Sequence, residues 1–264
     1  MKKITLLIVL IFISTHFPQK TDEIKPSIKN FYTELNNIVA HYDMKLGMQK
    51  KFSNDELFNT AKLLYIATED DPVAFRKELK SEYDAWAAET IKNNYKPIGL
   101  KPGVKLGILH KLIDERYGKN FTKILEIPYY LKVKILDIQG TIYIHTDKNT
   151  FPQINLICSV EDVIKGEKKF KKEDIITVSF LLHWFPEGYP SFEKGNSYFI
   201  PVDYWKMDNE IEAFCLGILH NAEKSAVLSL NENKLIDAKN CYLLDSTKTW
   251  EIFKRNFLKK YKLN

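Results

Sequence analysis

Apolar residues recur at helical spacing through residues 27–118. The first stripe consists of Ile28, Phe31, Tyr32, Leu35, Ile38, Val39 and Tyr42. Further along, Ser53 followed by Glu56 forms a capping box. Asp71 before Pro72 supplies an N-cap acid and a proline at the first helical position. We therefore predict three or four packed helices in this region.

The apolar pattern changes to period two in the second half of the chain. Leu131, Val133 and Ile135 alternate with two lysines, which is typical of a half-buried strand. Further strand candidates, separated by turn residues, are 140–146, 154–164, 174–184, 196–205, 211–219 and 225–230. A helical stripe that begins at Trp250 closes the chain.

These patterns together predict an α+β protein. An N-terminal helical region of three or four helices precedes an antiparallel β-barrel or sandwich, because several short strands with regular turn signals favour those architectures. A C-terminal helix follows. We place a signal peptide at 1–19, the helical region at 20–125, and the β-rich domain with its C-terminal helix at 126–264.

The first 19 residues have the pattern of an export signal. Lys2 and Lys3 precede the run Ile4–Ile13, which is apolar except for one threonine. This run fits the core of a signal peptide but is shorter than the roughly 20 apolar residues of a transmembrane helix. A buried N-terminal element and an uncleaved anchor are the alternatives. We expect an exported protein, periplasmic or secreted, with no transmembrane span beyond the signal segment.

Composition is that of an ordinary globular protein. Hydrophobic residues make up 45% of the chain, which is enough for a core. The net charge is +5, from 39 Lys and Arg against 34 Asp and Glu. A surplus of this size keeps a protein of this length soluble but is too small for the basic surface of a nucleic-acid-binding protein. We expect no nucleic-acid partner.

The chain has three cysteines, which is too few for a disulfide scaffold. Two alternatives stay open. Cys215 and Cys241 form a disulfide that leaves Cys158 free, or all three are reduced thiols packed in the core.

The sequence contains no complete catalytic or metal-binding motif of the common kinds. The six histidines are scattered, at 16, 41, 110, 145, 183 and 220, and no HExxH, CxxC, Walker or G-x-S-x-G pattern occurs. His145-Thr146-Asp147 is either a metal- or base-bearing triplet or a strand end entering a turn. Cys215 with His220 is the nearest thiol–imidazole pair, but strand cysteines are usually inert. We predict no catalytic residue, no metal site and no cofactor.

A loop rich in aromatic residues is the strongest candidate for recognition. Residues 183–192 contain two prolines and a glycine, which make the loop stiff and turned. Its predicted binding residues are Trp184, Phe185, Tyr189 and Phe192. Aromatic anchors on such loops often bind partners. The alternative is that these side chains fold over the end of the barrel, or onto the helical region, as core.

Three segments within 131–202 follow a known pattern. They are LKVKILDI, SVEDVIKGEKKFKKEDIITVSF and FEKGNSYFIPV, with Gly166 and Gly195 where tight turns require positive φ. Together they resemble an OB-fold domain of the netrin-like (metalloproteinase-inhibitor-like) type. The resemblance implies an OB-like fold and a binding role. Inhibitors of this family use an N-terminal cysteine, and this chain has none before Cys158, so inhibition does not carry over.

The sequence therefore favours an exported, non-catalytic protein that binds a protein or other macromolecule in the cell envelope or extracellular space. The alternative is an exported hydrolase whose site lies between the helical region and the barrel and uses His145, His183 or His220. A third possibility is a purely structural unit of a larger assembly. An enzyme should bring a histidine within hydrogen-bond reach of a carboxylate or thiol in an open cleft, whereas a binding protein should expose aromatic side chains.

Overall fold

The structure is a computed structural model that describes residues 24–41, 52–92, 104–146, 149–182, 190–206, 212–217, 226–231, 233–236, 240–244 and 247–262. The predicted signal segment 1–19 lies outside the described residues. Within them, the chain is an α+β protein with six α-helices and a mixed eight-stranded sheet, which confirms the predicted class. Among the residues that the structure describes, no helix has the length and apolar character needed to span a membrane.

The helices are α1 (Pro26–His41), α2 (Asn54–Asp70), α3 (Pro72–Lys92), α4 (Val104–Tyr117), α5 (Phe121–Glu126) and α6 (Trp250–Phe257), and α6 continues into a π-helical turn at Leu258–Lys262. The capping box of α2 is confirmed. The Ser53 hydroxyl accepts a hydrogen bond from the Glu56 amide at 3.1 Å, and the Glu56 carboxylate accepts one from the Ser53 amide at 2.8 Å. The Asp71 carboxylate caps α3 by accepting from the Ala74 amide at 2.9 Å.

The four helices α1 to α4 confirm the prediction of three or four helices over 27–118, and a fifth helix precedes the sheet in the described part of the chain. The additional helix is α5. The Asp114 carboxylate organises its first turn by accepting hydrogen bonds from the amides of Asn120 at 3.0 Å and Thr122 at 2.9 Å. A helix of six residues is too short to show a helical period, so its start depends on this contact from α4.

The strands are β1 (Tyr129–Thr146), β2 (Asn149–Lys165), β3 (Ile175–Leu181), β4 (Ser197–Lys206), β5 (Glu212–Leu216), β6 (Leu228–Asn231), β7 (Lys234–Ile236) and β8 (Thr247–Thr249). The first two strand candidates of the sequence are one strand of 18 residues. Nothing in that segment ends the strand, and a register shift between Ile135 and Asp137 introduces a bulge instead.

Five strands pair in the cycle β1–β2–β3–β5–β4–β1, and β6, β7 and β8 continue from β4. The predicted all-antiparallel arrangement is wrong at one pair, because β3 and β5 run parallel. Direction cannot alternate at every step around a cycle of five strands. One parallel pair is therefore required, and the structure places it between β3 and β5.

Two apolar cores lie on either side of β1 and β4. The core inside the five-strand cycle contains Leu131, Val133 and Ile135, as the alternation predicts. The other core joins the helices to the sheet, and all but one of the described members of the first helical stripe are buried in it. Tyr42 lies outside the described residues.

Aromatic rings form the centre of the core between helices and sheet. The ring of Phe199 from β4 lies 5.1 Å from that of Tyr242 and 4.9 Å from that of Phe253 on α6. Tyr130 from β1 lies 4.9 Å from Phe257. The ring of Phe121 on α5 lies 5.0 Å from that of Tyr261, so one continuous core includes residues from both sides of the predicted domain boundary.

The three cysteines are free and buried, which agrees with the reduced alternative and not with the Cys215–Cys241 disulfide. Burial raises the pKa of Cys158 and of Cys215 to about 12. Thiols with such pKa values are protonated at neutral pH and act as small apolar side chains.

A buried ammonium group joins the helices to the sheet. Lys165, the last residue of β2, is fully buried. It donates hydrogen bonds to the Thr68 hydroxyl at 2.9 Å and to the carbonyls of Leu125 and Ile127, both at 2.8 Å. Its Nζ also lies 4.1 Å from the ring centroid of Tyr65. Three acceptors and an aromatic face replace the water that the ammonium loses.

Replacing Lys165 by methionine tests this arrangement. Burial lowers the pKa of Lys165 in the folded protein to about 7, whereas an unfolded lysine has a pKa of about 10.4. The unfolded state therefore binds more protons between these values, and stability rises with pH there. Relative to Lys165→Met, the free energy of unfolding of the wild type should increase by about 2 kcal/mol between pH 7 and pH 9. Urea unfolding at both pH values measures the free energy of unfolding of the wild type and of the variant. A difference between the two proteins that does not change with pH contradicts the lowered pKa.

Candidate functional site at the junction of helices and sheet

Three of the four binding residues predicted from the aromatic loop lie outside the described residues: Trp184, Phe185 and Tyr189. The fourth, Phe192, is described. Its ring lies 5.1 Å from that of Tyr198 and 6.0 Å from that of Phe180, against the core inside the five-strand cycle. Phe192 thus contributes to packing, and recognition by the rest of the loop stays a prediction.

Of the histidines considered for catalysis, His183 and His220 lie outside the described residues. His145 belongs to β1, but its side chain is outside the described part, as is Asp147. The described histidine with a carboxylate partner is His110 on α4. Its Nε2 lies 2.6 Å from an oxygen of Glu126, and both residues line the same cavity.

A cavity of about 400 Å³ opens where α3, α4 and α5 meet β4. Its apolar lining includes Pro72, Phe75, Leu79, Leu106 and Ile127. Its charged and aromatic lining consists of Arg76, His110, Lys123, Glu126, Asp203 and Trp205. This volume lies within the range of small-ligand sites, which combine apolar walls with a few polar groups.

The sheet side of the cavity carries a fixed indole, which we call the Trp205 platform (Arg76, Asp203 and Trp205). The indole N–H of Trp205 donates a hydrogen bond to Asp203 Oδ2 at 2.7 Å. The Arg76 guanidinium donates to Asp203 Oδ1 and to the carbonyl of Tyr204. The same guanidinium stacks over the indole, 4.8 Å from the ring centroid.

Asp203 is the centre of the Trp205 platform. Burial raises the pKa of Asp203, and the charge of Arg76 and the hydrogen bonds from Arg76, the Tyr204 amide and the Trp205 indole oppose that rise. Every one of these partners is a donor. Asp203 therefore acts as the acceptor that holds Arg76 and Trp205 in one geometry.

The helix side of the cavity carries a second cluster of charges. Glu126 accepts a hydrogen bond from His110 Nε2 at 2.6 Å and from Lys123 Nζ at 2.9 Å. Burial alone would raise the pKa of Glu126, but the hydrogen bonds and charges of His110 and Lys123 lower it below its ordinary value. Glu126 is thus ionised at neutral pH, which requires His110 Nε2 to carry the hydrogen in this pair.

Charged side chains of the cavity lining are paired with one another. Arg76 pairs with Asp203, and Lys123 pairs with Glu126. An ionic ligand would therefore have to compete with these pairs for its contacts.

Sequence reasoning did not identify this cavity. Asp203 and Trp205 stand two residues apart in a strand, which places both on one face, and that spacing was a usable signal. Arg76 is 127 positions away from Asp203, and no local pattern links them. His110 and Glu126, on consecutive helices, likewise share no motif.

The cavity contains no recognisable metal site, since no group of three or more metal-ligating side chains occurs in the part of the chain that the structure describes. Comparison with protein-family models, with curated proteins and with solved structures finds no match to this chain.

Arg76→Met leaves the Asp203 carboxylate buried without its guanidinium partner. Breaking a buried pair from one side is costly, so the free energy of unfolding should fall by about 2–4 kcal/mol. The matched control is Lys80→Met, which breaks a pair with Asp84 whose side chains are 72% and 55% exposed. That change should cost less than about 0.5 kcal/mol. Urea unfolding measures both, and equal losses would show that the Trp205 platform adds no stability.

Proposed function

We propose that this chain is an exported, non-catalytic protein that binds a protein or other macromolecule in the cell envelope or extracellular space, periplasmic or secreted. The observation that carries the proposal is Trp205. This large aromatic side chain is 47% exposed, at a cavity, although its indole N–H is hydrogen-bonded. An immobilised aromatic side chain loses little conformational entropy when a partner binds, so it suits recognition.

We also propose that β1 to β5 form an OB-type barrel of the netrin-like kind. Two features support this proposal. The pairing cycle β1–β2–β3–β5–β4–β1 has five strands, the number in an OB barrel. Gly166 and Gly195, the turn glycines of the resemblance, have φ of +109° and +88°. OB folds commonly bind ligands on strand faces and inter-strand loops, which agrees with a binding role.

Binding explains the cavity better than catalysis does. The lowered pKa of Glu126 makes this carboxylate a weak base at neutral pH. The Thr68 hydroxyl, at the cavity wall, accepts from Lys165 and donates to backbone carbonyls. A hydroxyl held in this way is not activated by His110, and the described cysteines do not line the cavity.

Affinity capture tests the binding function. The bait is protein beginning at Lys20, in envelope and culture-medium extracts assayed for both proteins and glycans. We expect a macromolecule that Trp205→Ala retains at least tenfold less than the wild type, because its aromatic contact is lost. Ile175→Ala is the matched control, since Ile175 is 62% exposed and outside the cavity, and it should retain the partner.

A fourth bait separates the two candidate surfaces. It carries Trp184→Ala, Phe185→Ala and Tyr189→Ala together. Loss with this bait alone would assign binding to the aromatic loop instead of the cavity. Retention of the same material by all four baits, each verified as folded by circular dichroism, contradicts a binding function for either surface.

The second candidate is an exported hydrolase with its site in this cavity. The His110–Glu126 pair favours it, since a histidine 2.6 Å from a carboxylate is a general acid–base arrangement. If the chain is a hydrolase, His110→Ala should lower hydrolysis of ester, peptide or nitrophenyl glycoside substrates about 100-fold or more. Equal rates for wild type and variant, or no turnover by the wild type, remove this candidate.

A further inference from the structure

We propose that the cavity beside Trp205 binds a neutral sugar unit, so that the macromolecule recognised is a glycan. This inference rests on the proposed binding function and names its ligand class. Three features support it: the Trp205 platform, the paired charges of the lining and the size of the cavity.

The Trp205 platform offers a flat aromatic surface in a defined orientation. Arg76 stacks on one face of the indole and Asp203 accepts its N–H, while the residue is 47% exposed, which leaves the other face for a ligand. The aromatic face is electron-rich. The C–H groups on one side of a pyranose ring carry partial positive charge, so they pack favourably against such a face.

Glu126, in the same lining, supplies partners for hydroxyl groups. Each oxygen of Glu126 receives one hydrogen bond, from His110 or from Lys123. A carboxylate has about four lone-pair sites, so Glu126 can accept further hydrogen bonds from ligand hydroxyls. Sugars present an apolar C–H face and a rim of hydroxyls, and the cavity combines a matching aromatic surface with a matching acceptor.

The two ion pairs of the lining favour a neutral ligand. Both cations of the lining, Arg76 and Lys123, are already paired with carboxylates. A phosphate, sulfate or uronate would have to compete with Asp203 or Glu126 for these partners. A neutral sugar keeps both ion pairs, so it binds without that cost.

The size of the cavity favours a single sugar unit over the surface of a folded protein as the ligand. A volume of about 400 Å³ is near the lower end of small-ligand sites. Such a space holds a sugar ring with its substituents. A protein partner would have to insert a single side chain, for which an apolar pocket without two ion pairs is the better match.

Glycan arrays followed by isothermal titration calorimetry test the inference. Wild-type protein should bind at least one neutral oligosaccharide, such as a tetramer of glucose, mannose or N-acetylglucosamine, and should not bind a heparin tetrasaccharide. For that neutral ligand, Trp205→Ala should weaken binding at least tenfold. Trp205→Phe, which keeps an aromatic face and a folded protein, should weaken it less. Ile175→Ala should leave binding within twofold of the wild type.

The inference fails if no neutral glycan on the array binds, if only the heparin fragment binds, or if Trp205→Ala binds the neutral ligand as tightly as the wild type. Capture of an envelope protein that depends on Trp205, without neutral glycan binding, leaves the binding function standing and removes the sugar. If Trp205→Ala still captures the macromolecule and still binds the neutral glycan, both the binding function of the cavity and the sugar as its ligand are removed.

Discussion

The buried amino group of Lys165 fixes where the helices lie on the sheet. It ends β2 and donates to acceptors from α2 and from the C-terminal end of α5, so a change in their relative position would leave this buried amino group or buried carbonyls without partners. Arg76 makes the second such link, from α3 to the end of β4. Apolar contacts between Phe199 and α6 supply the burial, but they tolerate sliding better than hydrogen bonds do.

The cavity is a consequence of these two links. Thr68 and Ile127, which accept from Lys165, also line the cavity, and so do Arg76 and Asp203. The same polar contacts that set the junction therefore orient the surface of the candidate site. An arrangement of this kind gives a preorganised cavity, in which the cost of holding Trp205 in place has been met during folding.

Local signals in the sequence predicted local structure well. Ser53 and Glu56 mark the start of α2 because a capping box is satisfied within one turn. The parallel pairing of β3 with β5 could not be predicted, since it follows from closing a cycle of five strands and not from any one strand. The site was missed for a similar reason: Arg76 meets Asp203 only in the folded protein. The sequence does not show which charged residues pair with each other, and these pairs define the cavity.

The most direct test follows the indole N–H resonances of the tryptophans by nuclear magnetic resonance while the captured glycan is added. Trp205 is 47% exposed and lies at the cavity, whereas Trp250 is buried and donates its N–H to Asp162 at 2.7 Å. Spectra of Trp205→Phe and Trp250→Phe assign the two resonances. The account predicts that the Trp205 resonance shifts in a saturable manner and the Trp250 resonance does not. An unchanged Trp205 resonance in protein that calorimetry shows to be saturated would contradict it.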